Sequence, residues 1–285
     1  MAPSSISPKP ARQRQLRRAD DPHPTRTRRG VALLPSLFTM GNMFCGYACI
    51  VYSLRGDFET AAPFIGFAIV LDMLDGRIAR LTGTASDFGV ELDSLADVIS
   101  FGIAPAIMSY AWGLSELGRL GMFSGFLFVS AAALRLARFN IQSAAGGDKR
   151  YFVGMPSPAA AAIPAATVYS FSTRISDYRE ALPVLAMVLV PALLMVSTIR
   201  FRSFKTIDLQ VRRPYTVLLL IAAGIMAVAT HPRFVLVAMA YAYLASAFIG
   251  LAISRIKHRH QVAPPVGGDG PVPANADGDV ETPLE

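Results

Sequence analysis

Asp72, Asp75, Asp93 and Asp97 stand in the stretch LDMLDGRIARLTGTASDFGVELDSLADV, which runs from Leu71 to Val98 between long apolar segments. Spacings of three and four residues put each pair on one face of a helix. Packed as a hairpin about the linker LTGTASDFG, the two helices bring four carboxylates to one depth. Gathered in a low-dielectric setting they repel one another, and divalent cations among them relieve the repulsion. Hard cations such as Mg2+, Mn2+ or Ca2+ prefer oxygen ligands, and two can share four carboxylates. With no Cys or His nearby, the set does not suit zinc. A purely structural role would pair the acids with Arg77 and Arg80, yet two arginines cannot neutralise four acids. Ionisable groups within membrane spans are functional by default.

The neighbours of these acids have simpler readings. Asp87 and Glu91 fall outside the face pattern and suit a linker and a helix start, where the dipole favours acids. Gly76 and Ala79 leave a concavity in which a flat group can approach the backbone. Gly89 relieves crowding where the second acidic helix begins.

The elements that must position the acids are legible from composition. The chain has 285 residues, 53% hydrophobic and only 16% charged, where soluble domains carry about 25% charge. Eight apolar blocks cover about 34–54, 60–80, 88–113, 120–138, 156–173, 181–199, 213–230 and 233–253. Each has roughly the 20 residues that cross a bilayer core as a helix. Segments such as VLAMVLVPALLMVSTI lack the polar stripe that a soluble bundle needs. The expected fold is an all-α, polytopic membrane bundle of about eight transmembrane helices. Residues 31–255 form the membrane domain. Residues 1–30, basic and Pro-rich, and 256–285, rich in Pro, Gly and Asp, read as disordered tails. The first apolar block begins beyond residue 30 without a plausible cleavage site, so it reads as a retained span.

Lysine and arginine set the topology, because positively charged flanks stay in the cytoplasm. With the N-terminus inside, the outside loops hold only Arg55, Arg119, Arg174, Arg179 and Arg233 of the 27 basic residues. Both termini are therefore expected in the cytoplasm. The net charge of +7 reflects this asymmetry and attraction to anionic headgroups. Nucleic-acid binding is a poor alternative, since the basic residues are scattered over membrane flanks. Cys45 and Cys49 share a face of the first span and read as packing thiols.

The spacing Asp72-x2-Asp75-Gly76-x2-Ala79-Arg80-x8-Gly89-x3-Asp93-x3-Asp97 matches without gaps the signature of the CDP-alcohol phosphotransferases. The chain resembles that family over roughly residues 32–160. It is similar to the family's serine-using bacterial and archaeal branch through LLPSLFTMGNMFCGY, FGVELDSLADVISFGIAPA, ALRLARFN and FVGMPSPAAAA. The resemblance implies an integral membrane enzyme of the cell membrane, active on the cytoplasmic side and a homodimer. It implies transfer of a phosphatidyl group from CDP-diacylglycerol to L-serine, giving phosphatidylserine and CMP. It also implies that Asp72, Asp75 and Asp93 bind one divalent cation, Mg2+ or Mn2+. Asp97 would bind a second and act as general base. Gly76, Arg80 and Ser86 resemble contacts to the cytidine and diphosphate. Pro35-Ser36-Leu37-Phe38-Thr39 keeps the threonine of the family's Pro-Asn-x-x-Thr, with Ser36 in place of asparagine, and the resemblance makes Ser36 and Thr39 candidate substrate contacts. Asn42 stands where several relatives carry arginine.

The chemistry is consistent with these implications. A serine hydroxyl is a weak nucleophile until a base takes its proton. The attacked phosphorus is anionic, so its charge and that of the leaving CMP need neutralising. Acyl chains need the bilayer while the headgroup needs water, and a site at the membrane rim meets both demands. Another acceptor, glycerol 3-phosphate or inositol phosphate, would favour several basic residues in the pocket. Arg135 and Arg138 are candidates, and positive-inside flanks are their alternative reading. With Asn140 they are also candidates for the serine carboxylate. A cation transporter would instead spread polar residues along several spans to the midplane.

Overall fold

The computed structural model describes residues 26–82, 86–144, 151–197, 200–202 and 214–261. Most of the expected tails lies outside these residues, and the described ends of the chain, from Arg26 and up to Gln261, are helical. Helix α1 (Arg26–Leu54) is followed by α2 (Phe58–Thr82) and α3 (Asp87–Asp97). Helix α3 continues through a π-helical turn, Val98–Ile103, into α4 (Ala104–Trp112). Then come α5 (Arg119–Ala144), α6 (Ser157–Ser170), α7 (Tyr178–Val196), α8 (Pro214–Thr230) and α9 (Pro232–Gln261). Among the described residues these make eight rods, one for each apolar block. A short antiparallel pair, β1 (Tyr151–Val153) and β2 (Arg200–Arg202), sets Phe152 opposite Phe201.

Among the described residues, four segments are long and apolar enough to cross a membrane: Ser36–Leu54, Phe88–Trp112, Arg119–Gln142 and Tyr178–Val196. Large apolar side chains cover their outer faces, with Phe44, Phe126 and Leu193 exposed. Such faces suit lipid contact. The protein is an integral membrane protein of helical class.

Small residues line the contacts inside the bundle. Ala48 and Cys49 of α1 and Ala61, Ile65 and Ala68 of α2 are buried, letting the helix backbones approach closely. A tight turn at Gly56, whose φ is +76°, makes α1 and α2 antiparallel neighbours. Asp57 Oδ1 accepts from the Thr60 backbone N–H at 3.1 Å and starts α2. Tyr52 stacks on Phe64 with ring centroids 5.7 Å apart.

The π turn has a local cause and a packing consequence. Pro105 offers no backbone N–H, and the Ala104 N–H reaches back five residues to the Ile99 carbonyl. Such turns recur at functional sites. Here it carries Ser100 and Gly102 into the bundle, both buried. A Cβ on Gly102 would lie 3.3 Å from Ala132 Cβ of α5. At the far end Trp112 Nε1 donates to the carbonyls of Phe171 and Thr173. Both ion pairs among the described residues, Arg174–Glu116 and Arg233–Glu59, also lie there.

Candidate active site

The buried stripe of α2 runs through Ala61, Ile65 and Ala68 and continues, at the same helical spacing, into Asp72 and Asp75. One face is therefore apolar for most of its length and acidic over its last turns. Helix α3 brings Asp93 against it. Asp72, Asp75 and Asp93 each offer an oxygen within 4.8 Å of the others. Two like charges at that separation repel by about 3–4 kcal/mol at an effective dielectric of about 20. Asp75 is only 3% exposed, and Thr39 Oγ1 donates to its Oδ2 at 3.1 Å. Asp93 Oδ1 is buried and bonded to no protein group. An all-oxygen donor set with a buried oxygen left over fits a hard divalent cation. These three residues can hold a metal ion.

Asp97 stands beside this trio and has a different partner. Asn42 Nδ2 of α1 donates to Asp97 Oδ1 at 3.3 Å. Ser100 Oγ in turn donates to the Asn42 carbonyl at 2.9 Å, tying the π turn to α1. This crossing is close because residue 46 is glycine: a Cβ there would fall 2.6 Å from Ser100 Oγ and 2.9 Å from Ser100 Cα. Thr39, Asn42, Gly46 and Cys49 thus form one polar and small stripe along α1. Thr39 reads Asp75, Asn42 reads Asp97, and Gly46 sets how near the helices come.

The basic candidates separate by their partners. Arg135 Nη1 donates to Ser157 Oγ at 2.9 Å, while its buried Nε has no protein partner. Arg138 Nη1 instead reaches the Val196 carbonyl at 3.4 Å, at the C-terminal end of α7. Arginines commonly satisfy such end carbonyls. Asn140 Nδ2 donates to Ser94 Oγ at 2.8 Å, bracing α5 against α3. The segment FVGMPSP explains how Ser157 arrives under Arg135. Gly154 has φ +87°, and a Cβ there would strike the Met195 carbonyl oxygen. Met155 N–H donates to the Leu194 carbonyl at 3.0 Å. Pro156 and Pro158 then flank Ser157 at the first turn of α6, where their missing N–H groups cost nothing.

Among the donor-side candidates, Ser36 lies one turn before Thr39 on α1, half-buried, and Gly76 follows Asp75 on α2. Arg80 is in α2, with its side chain outside the described residues. Ser86 is the N-cap of α3, its hydroxyl oxygen accepting from Gly89 N–H at 3.0 Å. A Cβ on Gly89 would sit 3.1 Å from that oxygen, so glycine leaves the cap room. Asn42 and Ser157 carry direct site contacts that no acidic or basic pattern announces. Their signal was a polar residue recurring on the face of an otherwise apolar segment.

The sequence model of the CDP-alcohol phosphatidyltransferase family matches residues 32–196. The chain is 42% identical over 180 residues to a CDP-diacylglycerol–serine O-phosphatidyltransferase of Helicobacter pylori, covering 61% of this chain and 74% of that one. It is 36% identical over 170 residues to an archaetidylserine synthase of Methanothermobacter thermautotrophicus, covering 59% and 69%. It is 34% identical over 174 residues to a CDP-diacylglycerol–serine O-phosphatidyltransferase of Bacillus subtilis, covering 60% and 91%. The family match takes in more than half of the chain and every element that brings an acidic residue to the site, and the protein belongs to the CDP-alcohol phosphatidyltransferase family.

Proposed function

We propose that this protein transfers the phosphatidyl group of CDP-diacylglycerol to L-serine, giving phosphatidylserine and CMP. The observation that carries the reading is the acidic trio, Asp72, Asp75 and Asp93, with Asp97 held beside it by Asn42. The names of the relatives support the choice of donor and acceptor. In the proposed reaction the serine hydroxyl oxygen bonds to the phosphorus that bears the diacylglycerol. The bond from that phosphorus to the CMP oxygen breaks, and CMP leaves with the electron pair. Asp97 takes the hydroxyl proton. Its link to Asn42 holds one carboxylate oxygen and turns the other toward the acceptor.

Two divalent cations, Mg2+ or Mn2+, fit the proposal, with Asp72, Asp75 and Asp93 holding one and Asp97 the other. Bound there, they would supply charge neutralisation to the diphosphate. The rest falls to the chain's own side chains. Thr39 fixes the rotamer of Asp75 through its hydrogen bond. Ser36, Thr39, Gly76, Arg80 and Ser86 serve the donor, with Gly76 giving the flat base access to the helix backbone. Arg135, Arg138 and Asn140 are the candidates for the serine carboxylate.

The proposed enzyme is a homodimer with eight transmembrane helices, both termini in the cytoplasm and its site on the cytoplasmic side of the cell membrane. Purified protein incubated with CDP-diacylglycerol, Mn2+ or Mg2+ and each alcohol in turn tests the function. CMP should be released with serine and scarcely with glycerol 3-phosphate or inositol phosphate. Preferred turnover of a phosphorylated alcohol would overturn serine as the acceptor.

A further inference from the structure

Asn42 Oδ1, Asp93 Oδ1 and Arg135 Nε are side-chain atoms buried without a protein partner. Asp93 belongs to the acidic trio. The other two are opposite in kind, for an amide oxygen only accepts hydrogen bonds and a guanidinium N–H only donates them. A buried polar group left without a partner is destabilising, and a ligand that satisfies both removes that cost.

Asn42 and Arg135 are both neighbours of Asp97. Asn42 is fully buried, and its Nδ2 donates to Asp97, which orients the amide. The level of Arg135 follows from two contacts between the antiparallel α3–α4 rod and α5. Gly102 abuts Ala132, and Ser94 accepts from Asn140. Asp97 lies between the first members of these pairs and Arg135 between the second, so they come level. Asp97, then Tyr243 of α9, then Asp72 act electrostatically on the guanidinium. Ser157, 3% exposed, holds Nη1 from behind and leaves Nε uncommitted.

We infer that Asn42 and Arg135 are the two poles of a subsite for a zwitterionic α-amino acid. Asn42 Oδ1 receives the ammonium group and Arg135 Nε the carboxylate, with the hydroxyl presented to Asp97 between them. This rests on the serine reading above and deepens it. It also divides the three basic-side candidates. Of the three, only Arg135 has a buried donor without a protein partner, which assigns the carboxylate to Arg135. Ser157 is a positioning residue that acts through Arg135. A phosphorylated alcohol carries no cation to satisfy Asn42 Oδ1, so the pair selects against it.

The test uses the purified full chain with CDP-diacylglycerol and Mn2+. It compares kcat/KM for L-serine with that for 3-hydroxypropanoate, which lacks the ammonium, and ethanolamine, which lacks the carboxylate. Where an analogue turns over too slowly, its inhibition constant against serine replaces kcat/KM. Wild-type protein should prefer serine to each analogue by about tenfold or more, the worth of one charge-assisted hydrogen bond. Asn42→Leu should erase the preference over 3-hydroxypropanoate and keep that over ethanolamine. Arg135→Gln should do the reverse. The Asn42–Asp97 bond is lost for every acceptor alike, so it cancels in these ratios. Ser157→Ala should raise the serine KM with kcat little changed. Equal losses for serine and both analogues would overturn the subsite. So would a wild-type enzyme that accepts 3-hydroxypropanoate as well as serine, a comparison that needs no folded variant. In either case a retained preference for serine over glycerol 3-phosphate and inositol phosphate leaves the function standing. Loss of that preference in the wild type overturns the function itself.

Discussion

Thr39 Oγ1 donates to Asp75 Oδ2 at 3.1 Å, joining two buried residues 36 positions apart in the chain. The bond crosses from α1 to α2 and orients a carboxylate of the acidic trio. A threonine hydroxyl can do this inside an apolar segment because its remaining methyl group packs like valine. Thr39→Val therefore keeps the shape and removes the donor. It should raise the Mn2+ concentration for half-maximal CMP release by about tenfold, near 1.4 kcal/mol. Thr39→Ser should restore most of the loss. An unchanged Mn2+ dependence in the valine variant would leave Thr39 with a packing role only.

The trio also makes a prediction about stability. Like charges this close destabilise the metal-free protein, and a bound cation stabilises it by mass action, about 2.7 kcal/mol at 100 times its Kd. Wild-type protein should melt at higher temperature in Mn2+ than in EDTA. Asp72→Asn, Asp75→Asn and Asp93→Asn should each lose that increment and all detectable CMP release. Activity that survives EDTA would refute a metal site here.

Asp97→Asn separates binding from chemistry. The amide keeps the size of the side chain but cannot take a proton from the acceptor. Binding of CDP-diacylglycerol should persist, measured by equilibrium binding in detergent, while turnover falls by several orders of magnitude. An active variant would remove Asp97 from the role of base.

Gly46→Ala tests the crossing of α1 and the π turn. The added Cβ meets Ser100 Cα at 2.9 Å, and backbone cannot step aside as a flexible side chain can. Overpacking of this kind costs about 1–3 kcal/mol. The melting temperature should drop, and kcat should fall more than the donor KM rises, because Asn42 and Asp97 are parted. A variant as stable and as fast as wild type would show that the helices have slack at this crossing.

Topology gives a fifth expectation. Single cysteines placed at residues 1–30 in a Cys45→Ala, Cys49→Ala background should react with an impermeant maleimide only after the cells are opened. Labelling of intact cells would reverse the orientation.

Much of this architecture is legible along the chain because it depends on local quantities. Helical spacing and apolar length mark the eight rods and put Asp72 with Asp75, and Asp93 with Asp97, on shared faces. That the acids belong to helices is equally local. Helix α2, whose last turns carry Asp72 and Asp75, is absent from the four described segments that qualify as spans by apolarity alone.

Other relationships depend on which helix lies against which. Asn42 is one polar residue in an apolar segment until the fold sets it on Asp97, 55 residues away. Arg135 and Arg138 look alike as basic residues one turn apart. The tertiary structure sends one to Ser157 and the other to the end of α7. The physical reason is that a periodic pattern records which face of a helix is buried and carries no term for the neighbour that buries it. Local spacing and apolarity set the helices, their length and the acidic face. Close approach at Gly46, the π turn after Asp97 and the packing of α5 on α3 decided which partners those side chains meet.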